Sequence, residues 1–421
     1  MNLLAADVSP LAAHLWAAVI AVSLVMYAIL DGFDIGTGIL LGFERDARCR
    51  GAMLRAISTV WDGNETWLIL IGVALFGGFP LAFGAVLSSF YLPVIFLIVA
   101  LIARGVVFEF HAESRRPRVW EWQIALASLV IAFLHGAILG ALWTGVAAVD
   151  EAAAFGGLRA LLSPPAMLGG ATVVVLDLVL GCAWLRIKLP DGTFRADTAL
   201  PRRLTATLLV LLAVVAALAV AIAAPLDGAG PARLTLWLGG GAVAMALALG
   251  LLRSWRGSDP AAPFRLAVLT LGVLVTTAAL VQYPDLLPGA LTLVEAASPE
   301  NAQWFLLIGV GLAMPVIAAY TLYAYRVFRG EVAMAPGGAK ASVVNPRPAP
   351  RTPPDPAPPA RPAFAAAPPR ATALAWGAVV VFPLVFLVVT SAFGTGIGLV
   401  GVGLLWLTVG LVALRGGGRQ E

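Results

Sequence analysis

The chain is poor in charged residues, in cysteine and in histidine. Charged residues make up 12% of its 421 residues and hydrophobic residues 60%, a balance typical of integral membrane proteins and not of soluble domains. The two cysteines, Cys49 and Cys182, offer neither a disulfide framework nor metal-ligand spacing. No basic residue precedes the first apolar stretch, so the N-terminus lacks the pattern of a cleavable signal peptide.

The three histidines, His14, His111 and His135, are scattered along the chain. Haem held by two axial histidines, or a metal cluster, requires ligands at matched positions. The sequence therefore predicts that this chain alone binds no haem and no metal. His135 lies by itself in an apolar stretch, where a hydrogen bond within a helix bundle is the ordinary explanation and a functional role is the alternative.

Apolar stretches of about 20 residues, the length of a helix that crosses a bilayer, recur along the chain. They predict an all-α, polytopic membrane protein. The predicted spans lie near residues 11–31, 67–89, 91–110, 124–148, 166–186, 204–224, 232–252, 266–283, 304–325, 374–393 and 396–414.

The basic residues predict the orientation of these spans. If the N-terminus lies outside, the cytoplasmic loops and the cytoplasmic C-terminus carry all of the 27 Lys and Arg except Arg104, Arg159 and Arg233. The opposite orientation would violate the positive-inside rule almost everywhere. The net charge of +4 therefore reflects membrane topology and does not indicate nucleic-acid binding.

Composition divides the chain into three parts. Residues 1–333 read as one compact transmembrane unit with short loops, and residues 334–372 are rich in Pro, Ala and Arg. Such a segment buries too little apolar surface to fold, so we expect a disordered cytoplasmic linker. Residues 373–421 then form a predicted transmembrane hairpin, which is either a lipid-facing accessory element or part of the functional unit.

Acidic residues mark the first two spans. Asp31 and Asp34 lie three residues apart, so they share one helix face, and each costs about 2.5–3.5 kcal/mol at the centre of a membrane helix. Asp62 and Glu65 lie where the second span begins. Helix capping is the alternative to a functional role for these two residues, because an acidic N-cap with Glu three residues later resembles a capping box.

The third span adds Arg104 and Glu109. Arg104 could extend to the membrane surface, which is the ordinary behaviour of a long basic side chain near a helix end. The predicted topology favours another interpretation, since the charged residues of the first three spans all lie toward the cytoplasmic half. We expect them to form a hydrated route for protons, in which each charge offsets the burial cost of another. Asp177, in the fifth span, is a single carboxylate near mid-membrane.

Two motifs, in order and with their spacing, resemble subunit II of the cytochrome bd-type quinol oxidases. They are Leu-Asp-Gly-Phe-Asp-Ile-Gly at residues 30–36 and Trp-Asp-Gly-Asn-Glu-Thr-Trp at residues 61–67. The resemblance continues through residues 72–80, 89–91 and 104–108, covers residues 10–330, and is weak after about residue 150. Asp177 and the segment 336–421 depart from the family pattern.

The resemblance implies a nine-span subunit, built as two four-helix bundles plus a peripheral helix, in the bacterial cytoplasmic (inner) membrane. Its partner would be subunit I, which carries haem b and haem d and oxidises quinol, while subunit II supports assembly and conducts protons. The implied proton-pathway residues are Asp31, Asp62 and Arg104. The terminal hairpin could replace a small single-span accessory subunit, and whether a structural quinone binds this subunit stays open.

Two other functions fit the same acidic residues. A stand-alone, proton-coupled secondary transporter would use them at a site near the middle of the membrane, whereas here they lie toward the cytoplasmic side of the membrane. A scaffold would use them only to cap helices.

Overall fold

The computed structural model of the chain describes residues 8–111, 114–143, 157–190, 199–223 and 231–332. The predicted linker and terminal hairpin lie outside these residues. The elements are α1 (Pro10–Phe43), α2 (Ala47–Ser58), α3 (Trp61–Gly78), α4 (Pro80–Ser89), α5 (Tyr91–Phe110), α6 (Pro117–Leu142), α7 (Leu158–Leu161), α8 (Pro164–Lys188), α9 (Ala199–Ala223), α10 (Pro231–Ser254), α11 (Ala262–Gln282), β1 (Asp285–Leu287), β2 (Leu291–Thr292), α12 (Leu293–Ala296) and α13 (Glu300–Val327).

The predicted all-α membrane class is confirmed. Within the described ranges, eight helices are long and apolar enough to cross a membrane, and α3 with α4 could supply a ninth span. Helices α1, α5, α6 and α8 pack as one group, and α8 also packs against α9 and α11 of a second group. The exact nine-span arrangement stays a prediction.

Helix α1 is the central element of the protein. It contains 34 residues, a length of about 51 Å for an α-helix, and contacts α2, α3, α6, α8, α11 and α13. The predicted span of residues 11–31 lies within this helix, which is longer than the span because it continues through both aspartates to Phe43. All residues from 30 to 42 are buried, so this part of α1 has neighbours on every side.

The second predicted span is broken into two helices. Residues 67–89 were predicted to be continuous, but α3 and α4 meet at Phe79 with their axes bent by 116°. Pro80 explains the break, since proline lacks the backbone N–H that would extend the helix and disfavours helical geometry in the residue before it. Helix α3 consequently ends at Gly78, and α4 runs in another direction before α5 begins.

Ion pairs and hydrogen bonds centred on Glu121 hold the C-terminal end of α1 in place. The Glu121 carboxylate on α6 accepts hydrogen bonds from Arg50 Nε of α2 at 2.6 Å and from Arg118 Nη1 at 3.2 Å. Arg118 Nη2 in turn donates to the Gly42 carbonyl of α1 at 2.6 Å. Residues from α1, α2 and α6 are thus tied together at this end of the bundle.

Glycines allow α1 and α8 to approach closely. A Cβ atom placed on Gly36 would overlap the backbone carbonyl of Asp177, and one on Gly181 would lie 2.6 Å from the carbonyl carbon of Gly36. Because backbone atoms cannot move aside as a flexible side chain can, larger residues at these positions would separate the helices.

We expect Gly36→Ala to lower the stability of the protein by roughly 1–3 kcal/mol, the usual cost of overpacking a core. The measurement is thermal unfolding of the purified, detergent-solubilised protein. Gly72→Ala is the matched control, because a Cβ atom at Gly72 meets nothing within 4 Å. Equal unfolding temperatures for the two variants would contradict the close packing of α1 against α8.

Candidate proton-transfer site

Arg104 is the centre of a buried ionic cluster. The residue is 1% exposed, and its Nη2 donates to Asp31 Oδ1 at 2.8 Å and to Glu65 Oε1 at 3.3 Å. Asp31 belongs to α1, Glu65 to α3 and Arg104 to α5, so one guanidinium connects three helices. The alternative in which Arg104 extends to the membrane surface is therefore wrong.

Asp34 has a neutral partner instead of a cation. The Asn64 side-chain Nδ2 donates to Asp34 Oδ2 at 2.7 Å and to the Leu30 carbonyl at 3.1 Å. The hydroxyl of Tyr325, on α13, donates to Asn64 Oδ1 at 3.0 Å. The sequence interpretation did not assign a role to Asn64 or Tyr325, although Asn64 lies within the second motif.

Several polar atoms of this cluster have no hydrogen-bond partner among the described residues. They are Asp31 Oδ2, Asp34 Oδ1, Arg104 Nε and Arg104 Nη1. Buried polar groups in proteins are normally hydrogen-bonded to protein or to ordered water. These atoms are therefore the ones able to bind water or, for the carboxylates, a proton.

Carboxylates outnumber cations in the cluster. Asp31 and Glu65 contact the guanidinium of Arg104, and Asp34, which is bonded to Asn64, is a third carboxylate within its electrostatic influence. A single positive charge cannot offset the burial cost of all three when they are ionised. The arrangement suits groups that take up and release protons.

The structure does not bring Asp62 and Glu109 into the buried cluster, because both side chains are exposed. Glu109 is five residues beyond Arg104, which places it about 140° around the helix. Asp62 lies in the first turn of α3, whose N-cap is Val60 with no side-chain capping bond. The capping-box alternative for Asp62 and Glu65 is thus wrong.

Tyr27 connects His135 to the region of Asp31. The His135 Nε2 atom lies 3.5 Å from the Tyr27 hydroxyl, with the two rings edge to face at 5.4 Å. Tyr27 is one helical turn from Asp31 and interacts with it electrostatically. The sequence interpretation missed Tyr27, which offers no signal of its own within an apolar stretch.

The other two histidines lie elsewhere. His14 Nε2 is 3.1 Å from the Tyr283 hydroxyl, and His111 Nε2 is 3.5 Å from Glu121 Oε1. In the part of the chain that the structure describes, no group of three or more His, Cys, Asp or Glu is arranged to hold a metal ion. That this chain binds no haem by itself stays a prediction.

Comparison with known proteins identifies the family. The family model described as "Cytochrome bd terminal oxidase subunit II" matches residues 12–328. The chain belongs to this family. The match includes all the helices that form the buried cluster.

Named relatives agree with this assignment over part of the chain. Cytochrome bd-I ubiquinol oxidase subunit 2 of Escherichia coli strain K12 is 34% identical over 182 residues, which cover 41% of this chain and 48% of the relative. Cytochrome bd ubiquinol oxidase subunit 2 of Bacillus subtilis strain 168 is 29% identical over 178 residues, covering 41% and 53%. The matched part therefore spans about half the length of these relatives.

The fold also matches a solved bd oxidase. A chain of the bd oxidase from Geobacillus thermodenitrificans superimposes with a TM-score of 0.58 at 19% sequence identity, covering 75% of this chain and 98% of the other. At this identity the likeness concerns the fold alone.

Asp177 extends the acidic region of this subunit II chain onto α8. It is 5% exposed, and a Cβ atom placed on Gly32 would lie 3.0 Å from Asp177 Oδ1. The carboxylate therefore lies against α1 at Gly32, the residue that follows Asp31. It also interacts electrostatically with Asp31 and Arg104, so the cluster has members on four helices.

Removing the Arg104 guanidinium should destabilise the protein strongly. Arg104→Met leaves the buried carboxylates of Asp31 and Glu65 without their cation, a change that costs about 3–5 kcal/mol in known buried pairs. The double variant Asp31→Asn/Arg104→Met should lose less stability than the sum of the single variants. Thermal unfolding of the purified variants measures both.

Arg233→Met is the control for loss of an arginine ion pair. Arg233 Nη2 lies 3.3 Å from Asp285 Oδ2, with side chains 38% and 24% exposed. Exposed pairs of this kind contribute about 0–1 kcal/mol. Strictly additive effects in the double variant, or an Arg104→Met protein as stable as Arg233→Met, would show that Arg104 does not hold the cluster.

Proposed function

We propose that this chain is the non-haem subunit of a quinol:oxygen oxidoreductase of the aerobic respiratory chain, and that it conducts protons from the cytoplasm toward the oxygen-reducing site. The observation that carries the proposal is the buried ion pair of Arg104 with Asp31, extended to Glu65. Family membership supports the assignment to a quinol oxidase, and the buried carboxylates are the groups that would carry the protons.

The route begins at an exposed carboxylate. Asp62 is exposed at the start of α3, and Glu65, one turn further along, has a side chain that is 21% exposed. Arg104 and Asp31 follow, with side chains 2% and 0% exposed. The exposed fraction of the side chain thus falls from Asp62 through Glu65 to Arg104 and Asp31, as expected of a path that leads from water into the protein.

The orientation of this route follows from the arginines. The end of the bundle that contains α2 and Arg118 carries many basic side chains, which the positive-inside rule assigns to the cytoplasm. The cluster lies near that end, since Glu65 is four residues from the start of α3 and Arg104 six residues from the end of α5. Protons would therefore enter from the cytoplasm.

Redox chemistry belongs to the partner in this proposal. Subunit I would hold haem b and haem d and would oxidise quinol, while this chain would bind none of these haems. Helix α13 exposes large apolar side chains, among them Phe305 at 78%, Leu312 at 70% and Val316 at 68%. Such surfaces suit contact with lipid or with another membrane subunit, which is how this chain would support assembly.

Neutralising the buried carboxylates should slow oxygen reduction without loss of haem. We expect Asp31→Asn and Glu65→Gln each to lower quinol-driven oxygen consumption by roughly a hundredfold, the lower end of the range for a side chain that transfers protons. Glu65→Gln is the safer variant, because it leaves the Asp31–Arg104 pair intact. Turnover and haem spectra are measured on the purified complex.

Two further variants test whether the effect on turnover depends on where the carboxylate lies relative to the buried cluster. Asp62→Asn should have a smaller effect, since water can replace an exposed carboxylate at the opening of the route. Glu109→Gln is the matched control, because it removes an exposed charge outside the cluster and should leave turnover unchanged. If Asp31→Asn and Glu65→Gln enzymes retain normal turnover, the proposed proton route is excluded.

A further inference from the structure

The amide of Asn64 is held by contacts on both of its polar atoms. Nδ2 donates to Asp34 Oδ2 and to the Leu30 carbonyl, while Oδ1 accepts from the hydroxyl of Tyr325. The residue is 1% exposed. An amide in this position has little freedom to exchange its partners with water.

The chemistry of the partners fixes which way the amide points. An ionised carboxylate and a backbone carbonyl only accept hydrogen bonds, so Nδ2 must face Asp34 and Leu30. A hydroxyl can donate, and Tyr325 lies on the opposite side of the amide. Turning the amide over would place Oδ1 against two acceptors and would break the donation from Tyr325.

From these contacts we infer that Tyr325 is a positioning residue for Asp34, acting through Asn64. The Tyr325 hydroxyl fixes the amide, and the amide occupies Asp34 Oδ2. Asp34 Oδ1 has no hydrogen-bond partner among the described residues, so a proton is directed to that oxygen. This inference rests on the proposed function, because it gives Asp34 a part in proton transfer.

The ring of Tyr325 is held independently of its hydroxyl. It packs edge to face against Phe33 at 6.4 Å and against Trp184 at 6.1 Å between ring centroids. Phenylalanine would keep these aromatic contacts and remove only the O–H. Tyr325→Phe is therefore a selective test that leaves the packing of α13 against the core in place.

We expect Tyr325→Phe to slow oxygen reduction by the purified complex by roughly three- to tenfold, the size expected for loss of one hydrogen bond that orients a reacting group. Haem content should be unchanged. A second readout is redox-difference infrared spectroscopy, in which the Asp34 carboxyl band, identified by its loss in Asp34→Asn, should shift in Tyr325→Phe. A purely structural role would not move that band.

Two variants accompany this test. Tyr323→Phe removes a hydroxyl from the same helix at a side chain that is 67% exposed, and it should leave turnover and the infrared band unchanged. The double variant Asn64→Leu/Tyr325→Phe should be no slower than Asn64→Leu alone, because both residues act on Asp34 through one contact.

The outcomes separate this inference from the proposed function. If Tyr325→Phe leaves either turnover or the Asp34 band unchanged while Glu65→Gln slows turnover, Tyr325 does not position Asp34 and the proton route stands. Additive losses in the double variant would also overturn the inference. If Glu65→Gln and Asp34→Asn both keep native turnover, the proton route itself fails.

Discussion

The burial of one guanidinium is the constraint on which the arrangement of α1, α3 and α5 depends. Arg104 is almost wholly buried and donates to carboxylates of two other helices. An unpaired charge in this environment would be very costly, so the three helices must keep a depth at which Asp31 and Glu65 both reach it. The acidic residues are then structural partners of Arg104 as well as candidate proton carriers.

The first motif distributes different tasks over the faces of one helix. Gly32 and Gly36, four residues apart, form the surface on which α8 lies closely. Asp31 and Asp34, three residues apart, contact α5 and α3 through Arg104 and Asn64. Phe33 stacks on Trp184 of α8 at 4.2 Å. Charge, close backbone packing and aromatic contact therefore meet within one and a half turns of α1, which explains why every residue there is buried.

Sequence reasoning predicted the depth of the charged residues better than the direction of their side chains. The predicted topology placed six charged residues toward the cytoplasmic half: Asp31, Asp34, Asp62, Glu65, Arg104 and Glu109. Two of them, Asp62 and Glu109, have exposed side chains outside the buried cluster. The break at Phe79 was missed although Pro80 is visible in the sequence. Tyr325 could not be found, because it is 261 residues from Asn64 and a tyrosine near a helix end is ordinary in membrane proteins.

The two aspartates of the first motif differ in the partner that each one meets. Asp31 faces a cation that cannot give up its proton, and Asp34 faces a neutral amide whose orientation depends on Tyr325. Because the partners differ in charge, the two carboxylates have different electrostatic surroundings although they are less than one turn apart. A pair of this kind can divide the work of proton transfer, because one carboxylate is paired with a cation and the other is hydrogen-bonded to a neutral amide. The same geometry explains why Asn64, which cannot itself carry a proton, occupies a central place in the cluster.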